Sequence, residues 1–185
     1  NGRWIEAPGW DFFNTLARHY THLPIIAEDL GVITPDVREA MQHFGFPGMK
    51  LLMFAFSSDT NNVHHGAPHT YTRNSVVYTG THDNNTTRAW FQREASAEER
   101  QKMSEYLGHE LREEEVSWEL IRMGMQSVAN KVVFQMQDLL NLGAEARMNT
   151  PATVQGNWQW RLRTEQMEPA LAERLGELTR IYGRG

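Results

Sequence analysis

Residues 75–85 read SVVYTGTHDNN, an apolar run that ends directly in a cluster of polar side chains. The same arrangement occurs in residues 23–29, LPIIAED, and in residues 131–138, KVVFQMQD. A short apolar run of this kind predicts a buried strand, and the polar residues that follow it lie at the strand's carboxyl end. A fourth apolar run covers residues 49–56. We therefore predict four buried strands, three of which bring polar side chains to one edge of a parallel sheet.

Helices are predicted between and after these strands. Thr34 suits the N-cap of a helix, Pro35 its first position and Asp36 its first turn, and this helix should end at Gly45. Further helices are predicted at about residues 97–107, 114–128 and 165–182. Alternating strands and helices are typical of βαβ units, so the fold class predicted is α/β with a parallel sheet. Without a repeat or a linker-like change in composition, residues 1–185 are read as one domain or part of one.

The composition narrows the classes of function. The 185 residues carry a formal net charge of -5, which argues against a nucleic-acid or membrane-surface partner. With no cysteine, disulfides, thiolate metal sites and a cysteine nucleophile are excluded. No apolar stretch approaches the roughly 18 residues of a membrane span, and the first residues lack a signal-peptide pattern. We expect a cytoplasmic location and no cofactor.

Two carboxylates and a histidine follow predicted strands at equivalent positions. Glu28 follows the first strand, and His82 and Asp83 follow the third. Two carboxylates that flank a scissile bond suit glycosidic cleavage. The alternative for any single acid is that it caps a helix. A metal site built from Glu28, Asp29, His82 and Asp83 is the rival chemistry, although no HExxH-like spacing supports it.

Aromatic residues give a second indication of a sugar site. The chain has six tryptophans, and the exposed face of a tryptophan can stack on the C–H surface of a sugar ring. Trp90 and Trp118 lie on predicted helices and are expected in the core. Trp4, Trp158 and Trp160 lie in irregular segments, where they are either sugar platforms or ordinary surface residues.

At residues 27–31 (AEDLG) and 79–84 (TGTHDN) the sequence resembles the 4-alpha-glucanotransferases of the amylomaltase, or disproportionating enzyme, family (glycoside hydrolase family 77). Supporting segments occur in the expected order: GRW at 2–4, APG at 7–9, GFPGMK at 45–50, GAEARMNT at 143–150 and GNW at 156–158. The resemblance covers nearly the whole chain. It implies a (β/α)8 TIM barrel, of which this chain would be the C-terminal half, about strands five to eight.

The resemblance also implies a retaining transfer of an alpha-1,4-glucan segment to the 4-hydroxyl of an acceptor glucan or glucose. On the matched motifs Glu28 is the general acid and base, and Asp83 is the carboxylate that grips the donor sugar and stabilises the transition state. His82 is expected to hydrogen-bond the same sugar, with Asn84 assigned to the same site. Two further positions, Asp59 and Asn149, resemble family residues that contact the glucan.

The family's nucleophilic aspartate has no counterpart in the matched motifs. In the family it precedes the first strand of this chain, and Asp11 is a poor substitute for it. The chain is also shorter than the roughly 250 residues of a complete barrel. From this we expect a fragment that is inactive by itself and that self-associates through exposed half-barrel edges. The alternative is a non-catalytic half-barrel that binds maltooligosaccharides. Two departures, Asn85 for a common Asp and Ala152 for a usual Gly, are expected to retune the site.

Overall fold

The computed structural model of the chain describes residues 3, 5–58 and 66–185. Within these residues it contains one parallel sheet of three strands in the order β1-β2-β3. The strands are β1 (Gly48–Leu51), β2 (Ser75–Tyr78) and β3 (Lys131–Val133). The predicted α/β class and the parallel sheet are therefore confirmed.

The helices in the described residues are α1 (Gly9–His19), α2 (Pro35–Phe44), α3 (Thr87–Arg93), α4 (Ala97–Leu107), α5 (Val116–Gln126), α6 (Met136–Leu139) and α7 (Pro169–Ile181). Helix α2 starts at Pro35 as predicted, and Gly45 ends it with a φ of 69°, a conformation that favours glycine. Among the described residues, none of the helices is both long enough and apolar enough to cross a bilayer.

The predicted first strand at residues 23–27 is wrong, because this segment forms no ladder. The N–H of Ile25 donates to the carbonyl of Leu23 at 2.8 Å, which bends the chain locally, and Pro24 has no N–H to give. The N–H of Ala27 does donate to the carbonyl of Pro47 at 2.9 Å. The segment therefore lies beside the start of β1 without joining the sheet.

The other predicted strands exist but are shorter than expected. After β1 the chain turns into a 3-10 helix at Leu52–Phe54. Strand β3 ends at Val133, and Gln135 is already the N-cap of α6. The four predicted strands thus become three in the described part of the chain, and the last one ends at Val133, ahead of a helix that begins at Met136.

Helix α1 was not predicted, and its stability comes from packing. Aromatic residues are only moderate helix formers, so the segment has no strong local signal. In the fold, the ring of Trp10 lies 5.4 Å from that of Phe44, and Phe13 lies 5.0 Å from Phe46. These contacts hold α1 against α2 and the start of β1.

The core lies between the sheet and helices α3 and α5. Val77 of β2 is fully buried and shares a cluster with Trp90 and Leu120. Trp118 belongs to a second cluster, under α7, where the guanidinium of Arg174 lies 3.8 Å from its ring centroid. Trp90 and Trp118 are both buried, which confirms the core positions predicted for them.

Candidate active site

A cavity of about 410 Å³ lies at the carboxyl ends of the strands. Its lining consists of Ile26, Glu28, Leu30, Met49, Tyr78, Gly80, Thr81, His82, Asp83 and Gln135. The fold thus brings Glu28, His82 and Asp83 to a single cavity, although Glu28 comes from a segment that is not a strand.

Asp29 positions the segment that carries Glu28. Its Oδ1 accepts a hydrogen bond of 2.7 Å from the N–H of Met49 in β1. The close approach requires Gly48, because a Cβ at that position would lie 2.8 Å from Asp29 Cγ. Asp29 therefore ties the chain to β1, whereas the side chain of Glu28 is exposed at the cavity.

Asn84 shapes the turn that presents His82 and Asp83. Its Oδ1 accepts hydrogen bonds from the N–H of Thr81 at 2.8 Å and from the Thr81 hydroxyl at 3.0 Å. The N–H of Asn84 in turn donates to the carbonyl of Thr81 at 3.1 Å. The side-chain oxygen of Asn84 is therefore bonded within the turn, and Asn84 is not among the residues that line the cavity. The sugar contact expected of Asn84 stays a prediction.

Residues 147–149 hold the same turn from the other side. The side-chain amide of Asn149 donates to Asp83 Oδ1 at 2.6 Å, and its backbone N–H donates to the carbonyl of His82 at 3.0 Å. The guanidinium of Arg147 donates to the carbonyls of Asp83 at 2.9 Å and Asn149 at 2.8 Å. His82 Nε2 lies 3.4 Å from Asp83 Oδ1. Two polar side chains, those of Asn149 and His82, therefore contact the Asp83 carboxylate, which remains 49% exposed, while Arg147 holds the backbone of the turn.

Trp158 extends this arrangement into a second cavity. Its ring centroid lies 5.1 Å from that of His82, and the side chain is half exposed. The backbone N–H of Trp158 donates to the backbone carbonyl of Met148 at 2.7 Å. The second cavity, of about 730 Å³, is lined by Asn149, Thr153, Val154, Gln155, Gly156, Asn157, Trp158 and Gln159. Asn149 lines this second cavity and bonds Asp83, which lines the first, so one hydrogen-bonded pair of side chains belongs to both linings.

The polar pair at residues 137–138 does not face the cavity, contrary to the prediction for the last strand. Gln137 and Asp138 are both buried. Desolvation raises the pKa of Asp138, and hydrogen bonds from Thr79 and Thr87 oppose that rise. In their place Gln135 lines the cavity, with a buried side-chain nitrogen that has no hydrogen-bond partner among the described residues. Gln135 could have been predicted as a site residue from its position just after β3, which is the same feature that pointed to His82 and Asp83 after β2.

Asn85, one of the departures noted above, makes its contacts away from the cavity. Its Nδ2 donates to Glu94 Oε1 at 2.8 Å, and its Oδ1 accepts from the N–H of Thr86 at 3.1 Å. Arg147 NH1 lies 3.6 Å from the same Glu94 oxygen. Asn85 is thus linked to the groups that hold Asp83 through one shared carboxylate.

Two residues that the sequence analysis considered as sugar contacts, Asp59 and Trp4, lie outside the described residues. Within residues 5–58 and 66–185 no group of three or more histidine, aspartate or glutamate side chains is arranged to hold a metal ion.

The sequence profile of the 4-alpha-glucanotransferases matches residues 1–167. The chain belongs to this family. It is 48% identical to the 4-alpha-glucanotransferase of Synechocystis sp., where the match covers 100% of this chain and 36% of that protein. Against the 4-alpha-glucanotransferase of Thermus thermophilus it is 47% identical, over 94% of this chain and 35% of that protein. The chain therefore spans about a third of the length of these relatives.

Solved amylomaltases share the fold. The amylomaltase from Streptococcus agalactiae in complex with acarbose superposes with a TM-score of 0.90 and 39% identity, over 100% of this chain and 37% of that one. The amylomaltase from Corynebacterium glutamicum superposes with a TM-score of 0.62 at 18% identity, over 84% of this chain and 28% of that one, a likeness of fold alone. The three-stranded α/β unit described above is thus part of the amylomaltase fold.

Proposed function

We propose that the chain forms the C-terminal half, predicted as about strands five to eight, of the TIM barrel of a 4-alpha-glucanotransferase, to which the described residues contribute the three strands β1, β2 and β3. The reaction would be the retaining transfer of an alpha-1,4-glucan segment to the 4-hydroxyl of an acceptor glucan or glucose. The observation that carries this proposal is the pair Glu28 and Asp83 on one cavity at the carboxyl ends of parallel strands. Family membership supports the choice of a glucan over other glycosides.

The two carboxylates would have different roles because their surroundings differ. Glu28 is exposed to the cavity, so it can give a proton to the leaving glycosidic oxygen and then take one from the acceptor hydroxyl. Asp83 is held by Asn149 and lies beside His82. A carboxylate fixed in this way suits binding of the donor sugar's hydroxyls and stabilisation of positive charge in the transition state.

Retaining transfer also needs a nucleophile that holds the glycosyl group. Among the described residues, the cavity lining contains two carboxylates, Glu28 and Asp83, and both already have roles. We propose that the nucleophile comes from outside residues 1–185, so that the 185-residue chain by itself does not transfer glucans. Loss of one member of a cooperating catalytic set usually costs several orders of magnitude in rate.

The function of the isolated chain would then be limited to binding. Trp158 beside His82 offers an aromatic face, and the adjoining cavity is lined mainly by polar side chains. The alternative reading, a non-catalytic maltooligosaccharide-binding half-barrel, rests on these residues. The related Streptococcus agalactiae amylomaltase was solved with acarbose, so acarbose and maltotriose are both suitable probes.

Incubation of the chain with maltotriose, with products separated by chain length, tests the proposal. We expect maltotriose to remain unchanged while titration of tryptophan fluorescence detects its binding. Glucose together with longer maltooligosaccharides would show that an acid within residues 1–185 acts as the nucleophile. Absence of both transfer and binding would contradict the proposed site.

Self-association is the further part of this proposal. In the described residues, β3 pairs with β2 on one side, and no strand pairs with its other side. The exposed apolar side chain of Val133 lies on this strand. Unpaired edges favour pairing with another chain. Sedimentation should reveal a mass above that of one chain, and a monomer that melts cooperatively would contradict this expectation.

A further inference from the structure

A buried carboxylate lies behind the candidate active site and has no role in the chemistry proposed above. Asp138 is on α6, directly after β3, and its side chain is fully buried. A buried carboxylate is costly unless its oxygens are hydrogen-bonded. The role of Asp138 therefore depends on the groups that its two oxygens contact.

Each oxygen of Asp138 contacts a different end of one loop. The hydroxyl of Thr79 donates to Oδ2 at 2.5 Å, and the backbone N–H of Thr87 donates to Oδ1 at 2.8 Å. Thr79 directly precedes residues 80–86, and Thr87 directly follows them as the first residue of α3. One carboxylate thus joins both ends of the loop that carries His82 and Asp83.

The bond to Thr87 is more than a helix cap. Helix α3 already has a capping residue, because the hydroxyl of Thr86 accepts from the N–H of Ala89 at 3.3 Å. The tip of the loop is held elsewhere, by Asn149. Asp138 therefore adds what the cap and the tip contacts lack, a fixed distance between the two ends of the loop.

We propose that Asp138 is a positioning residue for the candidate active site: by holding Thr79 and Thr87 it fixes residues 80–86, and so places His82 and Asp83 at the cavity. The consequence for glucan binding rests on the proposed function, whereas the fixing of the loop does not. Asp138 acts through these neighbours and needs no contact with the sugar.

Three substitutions separate this role from a general contribution to the core. Asp138→Leu removes both acceptors while keeping a similar volume, and Thr79→Val removes one donor in an isosteric way. Asp138→Asn keeps an oxygen for the N–H of Thr87, and its amide can donate to the Thr79 hydroxyl, which also accepts. We expect Asp138→Leu and Thr79→Val to displace residues 80–86, and we expect Asp138→Asn to keep these residues in the wild-type position.

Amide hydrogen exchange gives a readout that needs no ligand. The N–H of Asn149 donates to the carbonyl of His82, so its protection reports whether the loop lies against residues 147–149. We expect Thr79→Val and Asp138→Leu to lower this protection about tenfold or more while the amides of α4 keep theirs, as in local opening. Unchanged protection at Asn149, or an equal loss at all amides, would overturn the proposal. If Asp138→Leu does not fold, Thr79→Val decides.

The affinity for maltotriose gives the second readout. Loss of one hydrogen bond between a sugar hydroxyl and a charged side chain corresponds to about tenfold or more in affinity. We therefore expect the Kd to rise at least about tenfold in Thr79→Val and to stay near the wild-type value in Asp138→Asn. Arg184→Gln is the control for destabilisation, because Arg184 donates to the carbonyls of Met125 and Ala129 at the end of α5. It should lower Tm without changing the Kd.

If the wild-type chain binds no maltotriose, the proposed function fails, while the exchange data still test the loop. Maltotriose affinity that follows Tm across all variants would overturn the positioning role.

Discussion

The side-chain amide of Asn149 donates a hydrogen bond of 2.6 Å to Asp83 Oδ1, although the two residues are 66 positions apart in the chain. The contact joins the segment after α6 to the loop after β2. It sets which lone pairs of Asp83 remain for a ligand, because the oxygen that accepts from Asn149 also lies 3.4 Å from His82 Nε2.

Substitution of Asn149 should weaken sugar binding in an order that follows charge. Asn149→Ala loses one hydrogen bond to a carboxylate, worth about 1 kcal/mol at this half-exposed site, or about fivefold in Kd. Asn149→Asp should cost more, because it places a second carboxylate against Asp83. Maltotriose titration followed by calorimetry checks both values. Asn74→Ala, which loses a bond to Gly45 at the opposite end of β2, is the control; equal affinity of Asn149→Asp and wild type would contradict the account.

Trp158 should report the bound sugar. We expect Trp158→Leu to abolish most of the fluorescence change on addition of maltotriose and to weaken binding about twofold to tenfold, since an aromatic contact contributes about 0.5–1.5 kcal/mol. Trp158→Phe should retain part of the affinity. Trp10→Phe, on α1, should leave both the fluorescence change and the affinity for maltotriose unaltered. A full fluorescence change in Trp158→Leu would mean that another tryptophan senses the ligand.

The buried acid Asp138 should give the fold a distinctive pH dependence. Its pKa is raised in the folded chain. A raised acid pKa contributes stability that is present below the unfolded pKa and is lost as pH rises through the folded pKa. The free energy of unfolding of wild type minus that of Asp138→Asn should therefore increase as pH falls from about 7 to about 4.

Denaturant titrations at several pH values measure this difference. The control is Glu113→Gln, because bonds from Gln92 and then Arg88 lower the pKa of Glu113. For Glu113→Gln, the free energy of unfolding of wild type minus that of the variant should change in the opposite direction and become smaller at low pH. A flat profile for Asp138→Asn would show that the carboxyl titrates normally despite its burial.

Gly80 should resist even a methyl group. A Cβ at this position would lie 2.8 Å from Met53 Cε, and Met53 is buried. We expect Gly80→Ala to destabilise the chain by about 1–3 kcal/mol, as overpacking does. Gly176→Ala on α7, where a Cβ meets nothing within 4 Å, should instead stabilise it by about 0.5–1 kcal/mol. Urea denaturation compares them, and equal stability of Gly80→Ala and wild type would contradict the packing described.

Features coded by local signals could be predicted from the sequence. The start of α2 at Pro35 and its end at Gly45 depend on backbone preferences of those residues alone. Strand β2 was predicted because a short apolar run ends directly in polar residues. Asp83 follows β2 and reaches the cavity as the rule for parallel strands predicts, whereas Glu28 reaches the same cavity from a segment that is not a strand.

Features that depend on a distant partner could not be predicted. Residues 23–27 are apolar enough for a strand, but a strand forms only where another strand supplies its ladder, and the apolar pattern does not encode that partner. The acid at Asp138 looked like a member of the site, since burial against Thr79 and Thr87 is a tertiary property. Gln135 was missed because the end of β3 was placed too late in the chain.

We propose that Glu28 and Asp83 are the acid/base and the sugar-binding carboxylate of a glucanotransferase. This assignment is tested most directly in a chimera, in which this chain replaces the matching segment of the 48% identical Synechocystis enzyme. We predict that the chimera converts maltotriose into glucose and longer maltooligosaccharides. Glu28→Gln should lower the rate roughly a hundredfold to ten-thousandfold, Asp83→Asn should also lower it strongly, and Glu173→Gln on exposed α7 should not. A folded chimera that is inactive, or one that stays fully active with Glu28→Gln, would contradict the account.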